Sequence, residues 1–381
     1  MPENKKQHYI PQFYLRNFSR DGKQVLVYHF ESTSAFLSPI SSTCQDKYFY
    51  GKDGEFEIFL SELENRQASI IKKIIDTQNI DGITGDEIFD LHSFIMLQFA
   101  RTKDAKMMAE NFVELFVERY IKPMMKGNEE LMKKYSPEYI DSLKITMPQF
   151  YKFTLGTALS GIEGISDLKA FLVVNKTAKS FISSDAPVVK NNYYTLKTGE
   201  LTGFQSPGLQ IICPLTEKLL ILLIHENSYK IESSANSIIK ITEEADVDIF
   251  NRLQILNHLQ ILLLIDSKFV TYVQELYDEV SEMKTKKNFV EKTLKTTAET
   301  DGGYSEIVSM HTEGLNYRIR FSFLKINHDY NRKFKGRCKQ ILKKSPVVQP
   351  YRNKELSEKM RYQFDQLVEK AEKTANKKNV Q

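Results

Sequence analysis

Apolar residues recur at intervals of three and four through much of the first third of the chain. From Phe56 to Ile75 this spacing places apolar side chains on one face of a helix. A second helix is predicted to begin at Thr84, because Thr84 and Glu87 have the T-x-x-E spacing of a capping box, and to continue with kinks until Pro123. The pattern therefore predicts a helical N-terminal half.

The opening segment, residues 8–18, is apolar and aromatic and contains Pro11. Proline favours an extended start, and a short helix is predicted after it at Phe13–Asn17. The run 24–30 is rich in β-branched and aromatic residues and follows the turn-forming pair Asp21-Gly22. We therefore predict a strand at 24–30.

The period changes near residue 169, where short β-rich runs alternate with turn-forming residues. The runs are 170–174, 180–184, 209–213 and 219–224. Most connections between them are too short for helical crossovers, so we predict one mainly antiparallel sheet. A helix is predicted from about Glu243 to Ile265, and a strand pair at 304–310 and 316–324.

Near the C-terminus, one apolar stripe of a predicted amphipathic helix consists of Leu356, Met360, Phe364, Leu367 and Ala371. Such a stripe needs a surface to pack on, which is either the protein's own body, a protein partner or a second copy of the chain. The whole pattern predicts an α+β fold with a helical N-terminal half, a central mainly antiparallel sheet and a basic helical C-terminus.

Charge is unevenly distributed along the 381 residues. The 53 Lys+Arg and 49 Asp+Glu give +4 overall, but residues 331–381 hold 15 bases and five acids, which gives +10 there and leaves −6 for residues 1–330. A basic run without an acid has the charge density to contact nucleic-acid phosphates. Its first members are Arg332, Lys333, Lys335 and Arg337. The alternative is a solvated segment that keeps the protein soluble.

Composition excludes several classes of protein. A hydrophobic content of 41% with nearly balanced charge excludes a chain that is disordered as a whole. The three cysteines form no C-x-x-C pair and are odd in number, which argues against a disulfide framework and a thiolate zinc site. The apolar runs are far shorter than the roughly 18 residues of a membrane span, and the N-terminus lacks a secretory signal. We expect a soluble, cytoplasmic protein with no membrane partner.

Two motifs suggest a family. The chain opens with His8-x-x-Pro11-x-x-x-Leu15-x-x-Phe18, and the run FISSDAPVV at 181–189 contains Ser184-Asp185-x-Pro187. In these motifs the chain resembles a bacterial family known as domain of unknown function 4238. The resemblance implies little about activity, because the family is uncharacterised, although its members look like accessory genes of defence and mobile islands.

The extent of the resemblance sets the predicted domain boundary. It covers about residues 8–265 and leaves the remainder unsupported. We therefore predict a main α+β domain at 1–265 and a C-terminal extension at 266–381, which holds the strand pair and the basic amphipathic helix.

Three residues are candidates for catalysis. His8 has the chemistry of a general acid, a general base or a metal ligand, and equally of a residue that fixes the start of the chain. Asp185 follows a strand and precedes Pro187, so its carboxylate is either presented at a sheet edge or accepts hydrogen bonds from backbone amides. Arg101 ends an apolar helical run and forms either an internal ion pair, with Asp185 as a candidate partner, or an anion clamp.

If His8, Arg101 and Asp185 converge, they supply a base, an anion binder and a carboxylate, a set compatible with phosphodiester cleavage. Further polar contacts to a substrate are predicted from Gln12, Arg16, Gln98 and Asn257. The cofactor stays open, and Mg²⁺ held by Asp185 and His8 is the candidate.

Other catalytic patterns are weaker. Arg252-x5-His258 is similar to the R-x(4–6)-H site of HEPN ribonucleases, but the pattern is short and occurs by chance in many helices. The sequence contains no P-loop, no G-x-G-x-x-G, no H-E-x-x-H and no G-x-S-x-G motif, so the corresponding enzyme classes are unsupported.

Two functional hypotheses follow. The first is a nuclease or other nucleic-acid-acting enzyme in anti-phage defence, with His8, Arg101 and Asp185 in its site and the basic C-terminal run on phosphates. The second is a non-catalytic sensor module, in which the same polar residues hold a ligand or stabilise the fold and the 356–371 stripe binds a partner.

Overall fold

A computed structural model describes most of the chain before residue 330. The described residues are 6–52, 55–147, 150–192, 203–206, 208–231, 234–283, 289–300, 303–312 and 320–329. They form two compact units, one holding the chain up to Val27 and Phe36–Asp167, the other holding Tyr28–Ala35 and the chain from Leu168 onward. The predicted contacts at Arg332, Lys333, Lys335 and Arg337 and the predicted helix at 356–371 lie outside the described residues, and the predicted boundary at residue 265 stays a prediction.

The chain before residue 168 is mainly helical, with short strands near its start. The strands are β1 (Lys6–His8), β2 (Gln24–His29), β3 (Ser34–Pro39) and β4 (Gln45–Lys47). The helices are α1 (Gln12–Arg16), α2 (Glu55–Thr77), α3 (Gly85–Ala100), α4 (Lys103–Phe116), α5 (Lys122–Lys126), α6 (Glu129–Lys134), α7 (Pro137–Ser142) and α8 (Phe150–Ser160). A π-helical turn, Val117–Ile121, joins α4 to α5.

The chain after residue 168 is mainly β. Its strands are β5 (Lys169–Asn175), β6 (Ser183–Ser184), β7 (Val189–Asn191), β8 (Gln210–Pro214), β9 (Leu219–Ile224), β10 (Tyr229–Ile231), β11 (Ser234–Ala235), β12 (Ile238–Ile241), β13 (Ile261–Leu264), β14 (Phe289–Thr300), β15 (Gly303–Thr312) and β16 (Leu324–Ile326). Its helices are α9 (Glu244–Asn257) and α10 (Val270–Val280).

The predicted capping box at the start of α3 is confirmed. The Thr84 hydroxyl accepts a hydrogen bond from the Glu87 amide at 3.3 Å, and the Glu87 carboxylate accepts one from the Thr84 amide at 2.7 Å. The run that was predicted to continue to Pro123 is interrupted at residues 101–102. There Thr102 caps α4 by accepting a hydrogen bond from the Ala105 amide at 3.1 Å, because a helix must satisfy the free amides of its first turn.

Aromatic packing joins the start of the chain to α3 within the first unit. The buried Tyr14 ring in α1 lies 5.9 Å from the Phe94 ring in α3 and 5.5 Å from the Phe18 ring. Fully burying one large apolar side chain stabilises a fold by about 1.5–3 kcal/mol. This packing positions the opening motif against the C-terminal half of α3.

A six-stranded sheet in the second unit has the order β11-β12-β5-β9-β8-β7. Its neighbouring strands are antiparallel except for β12 and β5, which are parallel. The central strand β9 is buried along its whole length, which explains its uninterrupted apolar sequence LLILLI. Buried side chains of α9, including Phe250 and Leu253, pack in the same core as Phe171 and Leu222.

Two predictions in this region are wrong. Residues 180–184 do not join the main sheet; Ser183 and Ser184 pair instead with Leu263 and Leu262 of β13. The predicted helix from Glu243 to Ile265 ends at Asn257, and Ile261–Leu264 is strand β13. A short apolar run such as ILLL has the composition of a buried helix and of a buried strand alike, so periodicity does not separate the two.

The strand β13 belongs to a second sheet, in which its antiparallel neighbour β6 is the last strand in the order. The short β6 is therefore an edge strand, and Asp185 follows it directly.

The predicted strand at 304–310 is present, and part of its predicted partner, residues 316–319, lies outside the described residues. The strand Gly303–Thr312 pairs with Phe289–Thr300, which is antiparallel to it. Leu324–Ile326 pairs with Tyr229–Ile231. The fold is α+β, as predicted from the change of period. In the part of the chain that the structure describes, no helix has both the length and the apolar character needed to cross a membrane.

Candidate ligand cavity and the predicted site residues

The main-chain carbonyl of His8 is an acceptor for two side chains of the first unit. It accepts hydrogen bonds from Arg101 Nη2 at 2.7 Å and from the Tyr50 hydroxyl at 2.9 Å. The His8 ring lies with Nε2 3.2 Å from the Ile40 carbonyl oxygen, and burial lowers its pKa below the usual value. His8 thus fixes the start of the chain through both its backbone and its ring.

Arg101 lies at the C-terminal end of α3 and is buried. Its Nε donates to the Tyr50 hydroxyl at 2.6 Å and its Nη1 to Glu64 Oε1 at 2.6 Å, in addition to the bond to His8. Burial disfavours the charge, but Tyr50 and Glu64 outweigh burial and raise the pKa of Arg101. The predicted internal ion pair is present, and its partner is Glu64.

The predicted substrate contacts of the first unit are divided between the interior and the surface. Gln98 is buried and donates from Nε2 to the Tyr9 carbonyl at 3.3 Å. Tyr9 directly follows His8, whose carbonyl binds Arg101. Arg16 donates to Gln12 Oε1 at 3.2 Å on the exposed side of α1. The structure therefore brings together His8, Gln98 and Arg101, whereas Gln12 and Arg16 bond to each other.

Asp185 is buried in the second unit and accepts hydrogen bonds at both carboxylate oxygens. The Leu259 amide donates to Oδ1 at 2.8 Å, and the Gln260 and Ile261 amides donate to Oδ2 at 2.8 and 3.3 Å. These amides follow the end of α9. Asp185 therefore joins the edge strand β6 to the segment that connects α9 with β13.

Three amide side chains of α9 bind the backbone of residues 180–188 in return. Asn251 accepts from the Ile182 amide at 3.0 Å and donates to the Ser180 carbonyl at 2.9 Å. Gln254 accepts from the Ser184 hydroxyl at 2.9 Å and donates to the Pro187 carbonyl at 2.8 Å, and Asn257 donates to the Ala186 carbonyl at 2.6 Å. The side-chain amides of α9 thus bind residues before the Ser184-Asp185-x-Pro187 motif and within it.

Of these three residues, only Asn257 is predicted from the sequence as a site residue, and Asn251 and Gln254 are not. Asn251, Gln254 and Asn257 recur at intervals of three, so their side-chain amides lie on one face of α9. The structure brings Asp185 and Asn257 together in the second unit.

Arg252 and His258 of the R-x5-H pattern contact different partners. Arg252 donates to Glu279 in α10 at 2.6 and 3.0 Å. His258 is buried, stacks on the Phe30 ring with centroids 4.0 Å apart, and directs Nδ1 to the Ile255 carbonyl.

A cavity of about 780 Å³ lies in the first unit beside α4. One wall is a face of α4 and the π-helical turn, which includes Lys106, Ala109, Val113 and Val117. The rest of the lining is formed by residues 48–51, residues 143–147 and the start of α8. None of the described residues that the sequence predicts as site residues lines this cavity.

The floor of the cavity is aromatic and buried, and consists of Phe49, Tyr50 and Tyr151. Burial raises the pKa of Tyr50 to about 12 and that of Tyr151 well above its usual value, so both phenols stay neutral at physiological pH. Their hydroxyls donate to backbone carbonyls, which are His8 for Tyr50 and Ala100 for Tyr151. The rings are thereby held in place as apolar surfaces.

Lys106 brings a positive charge to this floor. Its ammonium nitrogen lies 4.6 Å from the centre of the Phe49 ring and 5.9 Å from that of Tyr151, within cation–π range. It also donates to the Phe49 carbonyl at 2.8 Å. Among the described residues, no carboxylate forms an ion pair with Lys106.

The segment beside Lys106 has an unusual backbone. Tyr48 has φ of 54° and Gly51 has φ of 104°, both in the left-handed region. A side chain at Gly51 would also lie 3.5 Å from Nζ of Lys152, a second lysine of the cavity lining. That distance is ordinary van der Waals contact, so it is the φ of 104° that favours glycine at residue 51.

A comparison with protein-family models finds a match to the family described as "Protein of unknown function (DUF4238)", over residues 6–258. The chain belongs to this family. The match in this DUF4238 protein includes the opening motif, the Ser-Asp-x-Pro motif and the whole lining of the cavity. No curated protein and no solved structure matches the chain.

The Mg²⁺ candidate was assigned to His8 and Asp185. Within the described ranges of this DUF4238 protein, no three His, Cys, Asp or Glu side chains cluster in a way that could hold a metal ion. The cavity instead combines aromatic rings with lysines and, at its exposed rim, Glu110, Glu114 and Glu118.

Proposed function

We propose that this DUF4238 protein is a ligand-binding module whose site is the cavity beside α4. The observation that carries the proposal is Lys106, a cation on a buried aromatic floor that has no carboxylate partner among the described residues. Ligand sites are typically apolar clefts of this size with a few convergent polar groups.

The contacts of the predicted catalytic residues support a binding role over catalysis. Arg101 directs three donors to Tyr50, Glu64 and the His8 carbonyl. Asp185 accepts from backbone amides at both oxygens. A group with these structural bonds would have to break them before it could act on a substrate.

The position of Lys106 on the aromatic floor favours a small organic anion with an aromatic or apolar body. The body would contact the rings of Phe49 and Tyr151, and the anionic group would accept hydrogen bonds from Lys106. The acidic side chains lie at the solvent-exposed rim, where water screens their repulsion.

Two fluorescent probes test this assignment in the full-length protein. Anilinonaphthalene sulfonate carries an aromatic body and an anionic group, and phenylnaphthylamine has a similar body without the charge. Lys106→Met keeps the aliphatic stem and removes the charge, so it should weaken sulfonate binding roughly tenfold and leave the neutral probe unchanged. Lys133→Met, on the exposed side of α6, is the matched control.

A second variant shows where the probes bind. Ala109 lies in the cavity wall, so Ala109→Phe should fill the space and abolish binding of both probes while circular dichroism stays unchanged. Sulfonate affinity that is equal in Lys106→Met and Lys133→Met would contradict the proposed anion site. Binding that survives Ala109→Phe would show that the probes occupy another surface.

A nuclease or other nucleic-acid-acting enzyme of anti-phage defence is the second candidate. The density of basic residues in the run that begins at Arg332 favours it. Incubation of the protein with labelled RNA and DNA, with and without Mg²⁺, tests it directly. Cleavage that is lost in His8→Ala would support it; intact substrate at high protein concentration, together with an unchanged phenotype of His8→Ala, would exclude it.

A further inference from the structure

Five aromatic rings form a continuous row on the first unit. The row, called the aromatic row below, consists of Tyr120, Phe116, Phe112, Phe150 and Phe153. Its successive ring centroids are 5.5, 6.4, 5.4 and 6.1 Å apart. The first three rings come from α4 and the π-helical turn, and the last two from α8.

The aromatic row is open to solvent. Phe112, Phe116 and Tyr120 are 39, 38 and 37% exposed, and Phe153 is 68% exposed. Met124, in α5, is 72% exposed. Single exposed apolar side chains are common on soluble proteins, but a contiguous exposed patch marks a surface that another element covers.

We propose that the C-terminal segment of the same chain, residues 356–371, docks on the aromatic row. The sequence predicts an amphipathic helix there, with an apolar stripe that needs a surface. Sixteen helical residues are about 24 Å long, and the four centroid separations give the row a length of at most about 23 Å. The stripe and the row therefore have matching length and matching apolar character.

The chain is long enough for this contact. Twenty-six residues separate Asp329 from Leu356, and an extended chain of that length spans up to about 85 Å, roughly four times the radius of gyration of about 21 Å expected for a compact fold of 381 residues. Charge also favours contact within the chain, because residues 331–381 carry +10 and residues 1–330 carry −6.

The absence of tryptophan from the sequence allows a direct test in the full-length protein. Phe116→Trp introduces a sole tryptophan at the middle of the aromatic row. Leu367→Asp in the same chain places a charge in the stripe. If the segment covers the row, this second substitution should shift tryptophan emission to the red and raise its quenching by acrylamide roughly twofold, because the indole becomes hydrated.

Gln366→Asp is the matched control, since it adds the same charge to the same segment outside the apolar stripe. It should leave emission and quenching unchanged. Identical emission in Phe116→Trp with and without Leu367→Asp would overturn the proposal. Emission that depends on protein concentration, together with a dimer in sedimentation, would also overturn it, because a second copy would then be the occupant.

Discussion

The guanidinium of Arg101 donates a hydrogen bond of 2.7 Å from Nη2 to the main-chain carbonyl oxygen of His8. The same guanidinium holds Tyr50, whose hydroxyl donates to the same carbonyl. The histidine of the opening motif is therefore bound in part through its main-chain carbonyl, which any residue at this position would have. Its imidazole makes a separate contact with the Ile40 carbonyl.

Arg101→Lys is expected to destabilise the protein by about 3 kcal/mol, because a lysine ammonium cannot reach Tyr50, Glu64 and His8 with the fixed geometry of a guanidinium. Urea unfolding measures the change in the free energy of unfolding. Arg66→Lys is the matched control: its ion pair with Asp90 is more exposed, and the expected loss is below about 1 kcal/mol. Equal losses in the two variants would show that the Arg101 contacts do not stabilise the fold.

Asp185→Asn is expected to cost about 2–3 kcal/mol of stability. The asparagine keeps one acceptor oxygen, and its NH₂ group then faces a backbone amide that the carboxylate had bound, which leaves a buried donor without a partner. Asp76→Asn, whose aspartate forms an exposed pair with Lys72, should change stability by less than about 0.5 kcal/mol. A variant at residue 185 as stable as that control would favour a functional role for the carboxylate.

Local signals were sufficient for part of the fold. The capping box depends on residues three positions apart, and the buried strand β9 is apparent from an apolar run of six residues. Both signals come from residues that are close in sequence, so they predict local structure without knowledge of the tertiary fold. The α+β class follows from the same local patterns.

Partners that lie far apart in sequence could not be predicted in the same way. The carboxylate of Asp185 binds amides 74 to 76 residues later, and Asn257 binds a carbonyl 71 residues earlier. Arg101 had many acids as candidate partners, and only tertiary structure selects Glu64. The cavity is a tertiary feature as well, because its lining combines α4 with residues 48–51 and 143–152, which are distant from one another in sequence.

His92 gives a prediction about acid stability. It is buried in α3, and within the described part of the chain neither ring nitrogen has a hydrogen-bond partner. Burial lowers its pKa from 6.5 to about 4. The unfolded chain therefore binds a proton that the folded protein does not, and stability falls as the pH drops from about 6.5 towards 4.

The size of this effect follows from the two pKa values. Between pH 7 and pH 5, His92 should remove about 2 kcal/mol of stability. His92→Leu abolishes this contribution and should add about 1 kcal/mol at pH 7, because two buried polar atoms are replaced by apolar ones. Urea unfolding of both proteins at the two pH values measures the difference. An identical pH dependence in the variant would show that another group titrates.

The basic run gives a prediction that separates nucleic-acid binding from general solubility. If its charges contact phosphates, the logarithm of Kobs for duplex DNA falls linearly with the logarithm of salt concentration. Replacing Arg332, Lys333, Lys335 and Arg337 by glutamine should reduce that slope by about 3–4, since each phosphate contact contributes about 0.9. Fluorescence anisotropy over a range of salt concentrations measures the slope.

A control with the same change of net charge makes this test specific. Four exposed lysines of the body, Lys47, Lys72, Lys133 and Lys134, are replaced by glutamine. This variant should keep most of the slope, because its lysines lie outside the basic run. Equal slopes for the two variants would mean that the run makes no special contact with phosphates, and a wild-type affinity that does not fall with salt would exclude phosphate contacts altogether.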